Sequence, residues 1–214
     1  MRSHDKEGRA VPRQVDHDER RRHIGAAVLR LIATRGLEAA SLRNVAAEAG
    51  VSMGTVQHYF TTKHEMLDFA QRYNYELAAA RGPKLIAQVP EPRTTRALLR
   101  ALLIDLLGLE GGESREGARL YAALLAYAVI DPQAAATART AYDGLTGFFA
   151  TQLQTAQDNG ALPSQIDPHL AARHLTALVG GLSGPTLIGA YTPGQALAVL
   201  DDHLAALFGS PGSR

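Results

Sequence analysis

Residues Ser41 to Lys63 read SLRNVAAEAGVSMGTVQHYFTTK, and this stretch decides the fold. Ser41 stands where a helix N-cap belongs, its hydroxyl available to a free backbone N–H two or three residues on. Leu42, Val45, Ala46 and Ala49 then recur at helical spacing and give that helix one apolar face. Gly50 follows where a chain leaves a helix through a left-handed backbone, a conformation that only glycine adopts without strain. Val51 suits the corner between two helices, and Ser52 suits the cap of the second. In that second helix Val56 and Phe60 share an inward face, which leaves Met53, Gly54, Thr55, Gln57, His58 and Tyr59 on or near the outer surface. A helix entering a DNA major groove must be held from behind and free of bulky charge in front. The layout meets both demands and points to a helix–turn–helix element.

The same residues carry a family likeness. Leu42-Arg43, Val45-Ala46, Ala49-Gly50-Val51-Ser52, Gly54-Thr55-Val56, His58-Tyr59-Phe60 and Lys63 together resemble the signature of the TetR family of bacterial transcription regulators. The resemblance implies an all-α protein: a three-helix head that binds DNA, and a six-helix C-terminal domain for ligand binding and dimerisation. It implies the DNA-facing set Ser41, Arg43, Ser52, Met53, Gly54, Thr55, Gln57, His58, Tyr59 and Lys63. Lys63 is expected on a phosphate, where a flexible cation reaches the backbone without reading sequence. Arg43 is the candidate for a base edge, since a guanidinium matches guanine O6 and N7. Many family members carry Tyr where this chain has Gln57, so base contacts do not transfer at that position.

Charge is distributed to match. The net charge is only +1, but residues 1–63 hold 11 Lys/Arg against 7 Asp/Glu, and residues 64–214 hold 11 against 14. A basic N-terminal third on a mildly acidic body suits a DNA head carried on a second domain. The 214 residues, 46% hydrophobic, suffice for one or two cores. The absence of cysteine excludes a disulfide scaffold and a thiolate metal site. With no secretory signal and no membrane-spanning run, a cytoplasmic location is expected.

The polar stretch 1–15, with Pro12, reads as a disordered tail or as a basic arm that touches phosphates. The expected DNA-binding domain spans 16–62 and the effector-binding and dimerisation domain 63–209. The first helix carries the stripe Ile24, Ala27, Val28, Leu31 and Ile32 and closes at Gly36, with Arg20, Arg21 and Arg22 near its start. The next helix after the head is expected to run from His64 to Arg81 and stop at Gly82-Pro83. Further helices are expected over 94–108, 115–130, 131–158, 167–188 and 193–208, with Pro185 kinking or ending the fourth of them. The total is nine helices, and no repeat of solenoid period is present.

Leu197, Leu200, Leu204 and Leu207 are spaced 3, 4 and 3, a narrow apolar seam. Ala171, Leu175, Leu178 and Leu182 give the preceding helix a similar stripe, with Gly180 and Gly181 permitting close approach. Ordinary intrachain packing could use these residues. A four-helix homodimer interface, as the resemblance implies, would use them too, and two-fold dimers match palindromic half-sites. The resemblance also implies a small-molecule pocket in the body. Its candidate residues are Phe69, Tyr73, Leu103, Tyr121, Tyr127, Tyr142, Phe149 and His174, since such sites are mostly apolar with a few placed polar groups. Each of these aromatics could equally be a core residue with a satisfied hydroxyl. The body resembles the BetI-like, choline-responsive subgroup, a diffuse likeness that names no ligand.

An enzyme is the contrasting reading. No HExxH, paired Glu-x-x-His, nucleophile elbow or phosphate-binding glycine loop is present. Asp201-Asp202-His203 clusters in sequence, but adjacent helix positions splay apart, and Glu19 and His23 share a face within the head. No metal and no cofactor is expected. The expected function is that of a homodimeric repressor released from a palindromic operator by a small-molecule effector. The alternative is a regulator that activates, or that needs no ligand.

Overall fold

The computed structural model describes residues 13–209, with side chains from His17 onward. Most of the expected tail or arm over 1–15 therefore lies outside the described residues. Among the described residues the fold is all-α, with nine α-helices and one short 3-10 turn. Two compact units divide the chain between Ala70 and Gln71. The division falls inside a helix, α4, so the expected boundary between 62 and 63 differs from it by under three turns of that helix.

The first unit contains α1 (Arg13–Arg35), α2 (Leu42–Ala49), α3 (Met53–Tyr59) and the start of α4 (Lys63–Gln88). Ile24, Ala27, Val28, Leu31 and Ile32 of α1 are all buried, as are Val45, Ala46 and Ala49 of α2 and Val56 of α3. Local chemistry starts and stops the short helices. Ser41 Oγ accepts from the Asn44 N–H at 3.2 Å, and Ser52 Oγ accepts from the Thr55 N–H at 3.0 Å. Gly50 adopts φ 64°, ψ 33°, which lets its N–H reach Ala47 O at 3.2 Å and the Val51 N–H reach Ala46 O at 3.0 Å. These bonds satisfy carbonyls that the end of α2 would leave open.

Two side chains of α1 lock the pair in place. His23 Nε2 lies 2.8 Å from Ala49 O at the end of α2, so this histidine positions a helix. The Arg21 guanidinium lies over the rings of Phe60 and Phe69, 4.8 and 5.1 Å from their centroids, and meets Glu65 at 3.3 Å. Glu65 in turn accepts from the Thr61 N–H at 2.9 Å.

The second unit holds the rest of α4 with α5 (Thr95–Leu106), α6 (Gly112–Ile130), α7 (Pro132–Asp158), α8 (Pro168–Leu187) and α9 (Pro193–Phe208). Thr94, Asp131, Asp167 and Thr192 cap the helices they precede, the last through a reciprocal box with Gln195. Leu99, Leu103, Leu107, Phe149, Leu153, Leu162, Leu175, Leu200 and Leu204 form a core fully closed to solvent or nearly so. Arg100 and Asp201 join α5 to α9 through two bonds of 2.6 and 3.0 Å.

The expected stop of α4 at Arg81 is corrected: the helix continues through Pro83 to Gln88. Proline removes one amide donor and crowds the carbonyl four residues back, yet an exposed position in a helix packed elsewhere tolerates this. Pro185 lies in the closing turn of α8, which ends two residues later at Leu187.

Candidate DNA-reading surface, body cavity and pairing face

Within the first unit, α2 and α3 with their N-caps, and the first residue of α4, put Arg43, Ser52, Met53, Gly54, Gln57, His58 and Lys63 at the surface, with Ser41, Thr55 and Tyr59 half-buried. Arg43 and Lys63 have no ion pair among the described residues. Their charges remain available for an outside partner. Ser52 and Thr55 hydroxyls lie 2.8 Å apart, which fixes both at the head of α3. The Tyr59 ring lies 4.6 Å from His17 of α1 and 5.1 Å from His58, so its orientation is set by two neighbours. Arg20 of α1 borders the same shallow recess as Ser52, Gly54, Thr55, His58 and Tyr59. Sequence reading left the three arginines undivided. The structure separates Arg20, at this surface, from Arg21, which is wedged between aromatic rings.

A cavity of about 580 Å³ opens within the second unit, walled by α4, α5, α6, α7 and α8. Tyr121, Tyr142 and Phe149 line it, whereas Phe69, Tyr73, Leu103, Tyr127 and His174 do not. Phe69 belongs to the head, its ring 5.3 Å from Phe60. Leu103 is fully buried in the body core. His174 is exposed on α8, with its ring centroid 6.4 Å from that of His203.

The cavity wall also carries residues that sequence reading missed. Tyr75 lines it from α4, its hydroxyl oxygen 3.4 Å from the Gln71 amide, which also donates to Ala134 O at 3.3 Å. Arg81 donates to Asp105 Oδ2 through Nε at 3.3 Å and Nη2 at 3.2 Å, and both side chains border the cavity. Gly117 makes room for this pair, since a Cβ there would stand 3.1 Å from Arg81 Nη2. One sequence signal existed: Asp105 is the single acid inside the apolar run Leu98 to Leu107. A charge at a buried helical position needs a partner. Burial, reinforced by Tyr142 and Tyr75, pushes the Tyr121 hydroxyl up to about 12, and burial raises Tyr75 as well. Both remain O–H donors at neutral pH.

The residues of the expected pairing seam pack within their own chain. Ala171, Leu175, Leu182, Leu200, Leu204 and Leu207 are buried inside their own chain, and Leu178 and Leu197 pack against the same core. Apolar periodicity reports that a face is buried, and says nothing about which chain buries it. The outward side of these helices is different: Leu170 and Val199 are 49% and 45% exposed, among Ala177, Gly180, Gly181, Ala198 and Ala206. Among the described residues no three His, Asp or Glu side chains converge as a metal site, and no helix is long and apolar enough to cross a membrane.

Comparison with known proteins agrees with both units. Residues 24–69 match the family model of bacterial regulatory proteins of the tetR family, and residues 95–209 match that of the BetI-type transcriptional repressor C-terminal domain. The transcriptional regulator PksA of Bacillus subtilis is 30% identical over 178 residues, covering 81% of each chain. The regulator BetI of Vibrio vulnificus is 25% identical over 86% of this chain and 90% of its own. Among solved structures, a transcriptional regulator from Saccharomonospora viridis in complex with choline is 28% identical with a TM-score of 0.72, covering 88% of this chain and 95% of that one. A regulator from Rhodococcus sp. Rha1, also 28% identical, superposes with a TM-score of 0.74 over 87% of this chain and 95% of its own. The chain belongs to the TetR family of bacterial transcription regulators, with a C-terminal domain of the BetI type.

Proposed function

We propose that this DNA-binding regulator acts as a cytoplasmic homodimeric repressor, released from a palindromic operator when a small molecule enters the body cavity. The observation that carries this reading is the cavity itself. It is largely apolar, has a few convergent hydroxyls, and is partly walled by α4, the helix whose first turns belong to the head. The head residues Arg43, Gln57 and Tyr59 read bases, while Lys63 and Arg20 hold phosphates. The exposed small-residue side of α8 and α9, with Leu170 and Val199, pairs two chains. Two heads then address half-sites about 34–36 Å apart or a multiple of that.

Release follows if the effector favours an arrangement of α4 that the operator-bound dimer cannot adopt. A ligand with equal affinity for both arrangements shifts nothing. About 100-fold loss of operator affinity requires roughly 2.7 kcal/mol of coupling, within the ordinary range. Selection from a random duplex pool at near-physiological salt tests the reading, with sedimentation to count chains on the selected site. One palindrome occupied by an even number of chains supports it. An unsplit, single half-site motif bound by a monomer overturns the dimeric part, and failure to recover any motif overturns sequence-specific repression.

A further inference from the structure

Building on the proposed effector cavity, we infer that its ligand is an uncharged, mostly apolar molecule of drug-like size whose oxygen acceptor meets the hydroxyls of Tyr121 and Tyr75. Among the described residues Arg81 and Asp105 are the only charged side chains on the wall, and each is already bonded to the other. A cation entering would find its only carboxylate engaged by a guanidinium. An anion would find its only guanidinium engaged by a carboxylate. Either would leave water for an apolar wall without a free counter-charge, a cost that the faces of the lining Tyr and Phe rings offset in part for a cation and not for an anion. The remaining wall is Ala, Leu, Ile, Val, Pro, Phe and Tyr with few exceptions, so apolar contact dominates.

The polar requirement comes from the tyrosines and from the buried Asn74 side-chain amide on the same wall, which has no hydrogen bond among the described residues. Tyr142 spends its proton on Thr176 O at 3.4 Å, and the Tyr75 oxygen faces the Gln71 amide, which leaves the Tyr75 proton to donate. Tyr121 has no hydrogen bond among the described residues. Two phenol donors thus face the cavity, and a carbonyl or phenolic oxygen satisfies them. At about 580 Å³ the space falls in the range of drug-sized sites.

The test uses the full-length protein and three shape-matched probes: 4-hydroxybenzophenone, 4-carboxybenzophenone and 4-(trimethylammonio)benzophenone. Choline chloride and the hydrocarbon 4-methyldiphenylmethane are controls. Binding is read by calorimetry on the native protein, on Tyr121→Phe and on Ala141→Trp, which sets an indole in the cavity to obstruct it. The neutral ketone is expected to bind at least ~10-fold more tightly than either charged analogue or choline. Tyr121→Phe should weaken the ketone by about 2–10-fold and leave the hydrocarbon unchanged, and Ala141→Trp should abolish binding of both. A charged probe or choline that binds as tightly as the ketone, and is blocked by Ala141→Trp, overturns the ligand class while leaving the effector cavity standing. Binding that Ala141→Trp leaves untouched, or no binding by any probe, overturns the cavity reading and this inference with it.

Discussion

Replacing Gly50 by Ala isolates what the turn of the DNA-reading element demands of its backbone. The residue sits at φ 64°, ψ 33°, and an added Cβ would meet no atom within 4 Å. No clash adds to the cost. A Cβ in the left-handed region costs roughly 1–2 kcal/mol. Restricting the unfolded chain returns about 0.4–1 kcal/mol of that. The midpoints of these two ranges leave a head less stable by about 0.8 kcal/mol. Gly50→Asn should lose less than Gly50→Ala, because Asn visits the same region more readily. Urea unfolding gives the total, and amide exchange at Val45 and Val56 assigns it to the head, since both lie in helices that flank the turn. Gly50→Ala as stable as the native chain, or Asn as damaging as Ala, would refute the backbone argument and point to a packing role for this position.

Other expectations concern the three functional surfaces. Arg43→Ala and Gln57→Ala should each reduce affinity for the selected operator by about 1–3 kcal/mol and relax the preference at one base position. Lys63→Ala should instead weaken all sequences alike and lower the salt slope, both readable by fluorescence anisotropy at several salt concentrations. Val199→Asp should give a folded monomer by sedimentation with unchanged helical circular dichroism. Leu204→Ala, at a fully buried site, should lose about 2–5 kcal/mol of stability. Burial, then the nearby His174, hold His203 below its ordinary value against a smaller pull from Asp202. The unfolded chain therefore binds a proton that the folded chain refuses. Stability from this group is complete above about pH 6.5 and falls as pH drops through the window beneath it. Urea midpoints measured between pH 7 and 5 should decline less steeply in His203→Gln.

The parts legible in the sequence share one property: their causes are local. Ser41, Gly50 and Ser52 act within three or four residues of themselves, so their caps and turn were readable one residue at a time. The helix count followed from the same signals, since Asp131-Pro132, Asp167-Pro168 and Thr192-Pro193 each announce a helix start. Pro83 misled because its effect depends on what packs around α4, and the helix persists across it. The leucines of α8 and α9 were ambiguous for a related reason, since the spacing that marks a core-facing stripe also marks an interface. In the cavity, Tyr121, Tyr142 and Phe149 were visible as aromatics on apolar helices. Arg81 and Asp105 were not, because their pairing joins α4 to α5 across 24 residues of chain. Only the isolation of an acid within a leucine run hinted at it.

A lever transmits only the motion that its joints do not absorb. The Arg21 side chain, gripped by Phe60 and Phe69 with Glu65 at its edge, fills the joint between the end of the recognition helix and the first turns of α4. There is little slack there for a displacement to disappear into. In the proposed switch, the head therefore turns with the start of α4 as a solid piece, and the body alone sets the amplitude. Loosening that grip would yield a deaf regulator, one that still holds its operator and still takes up its ligand while neither event reports to the other.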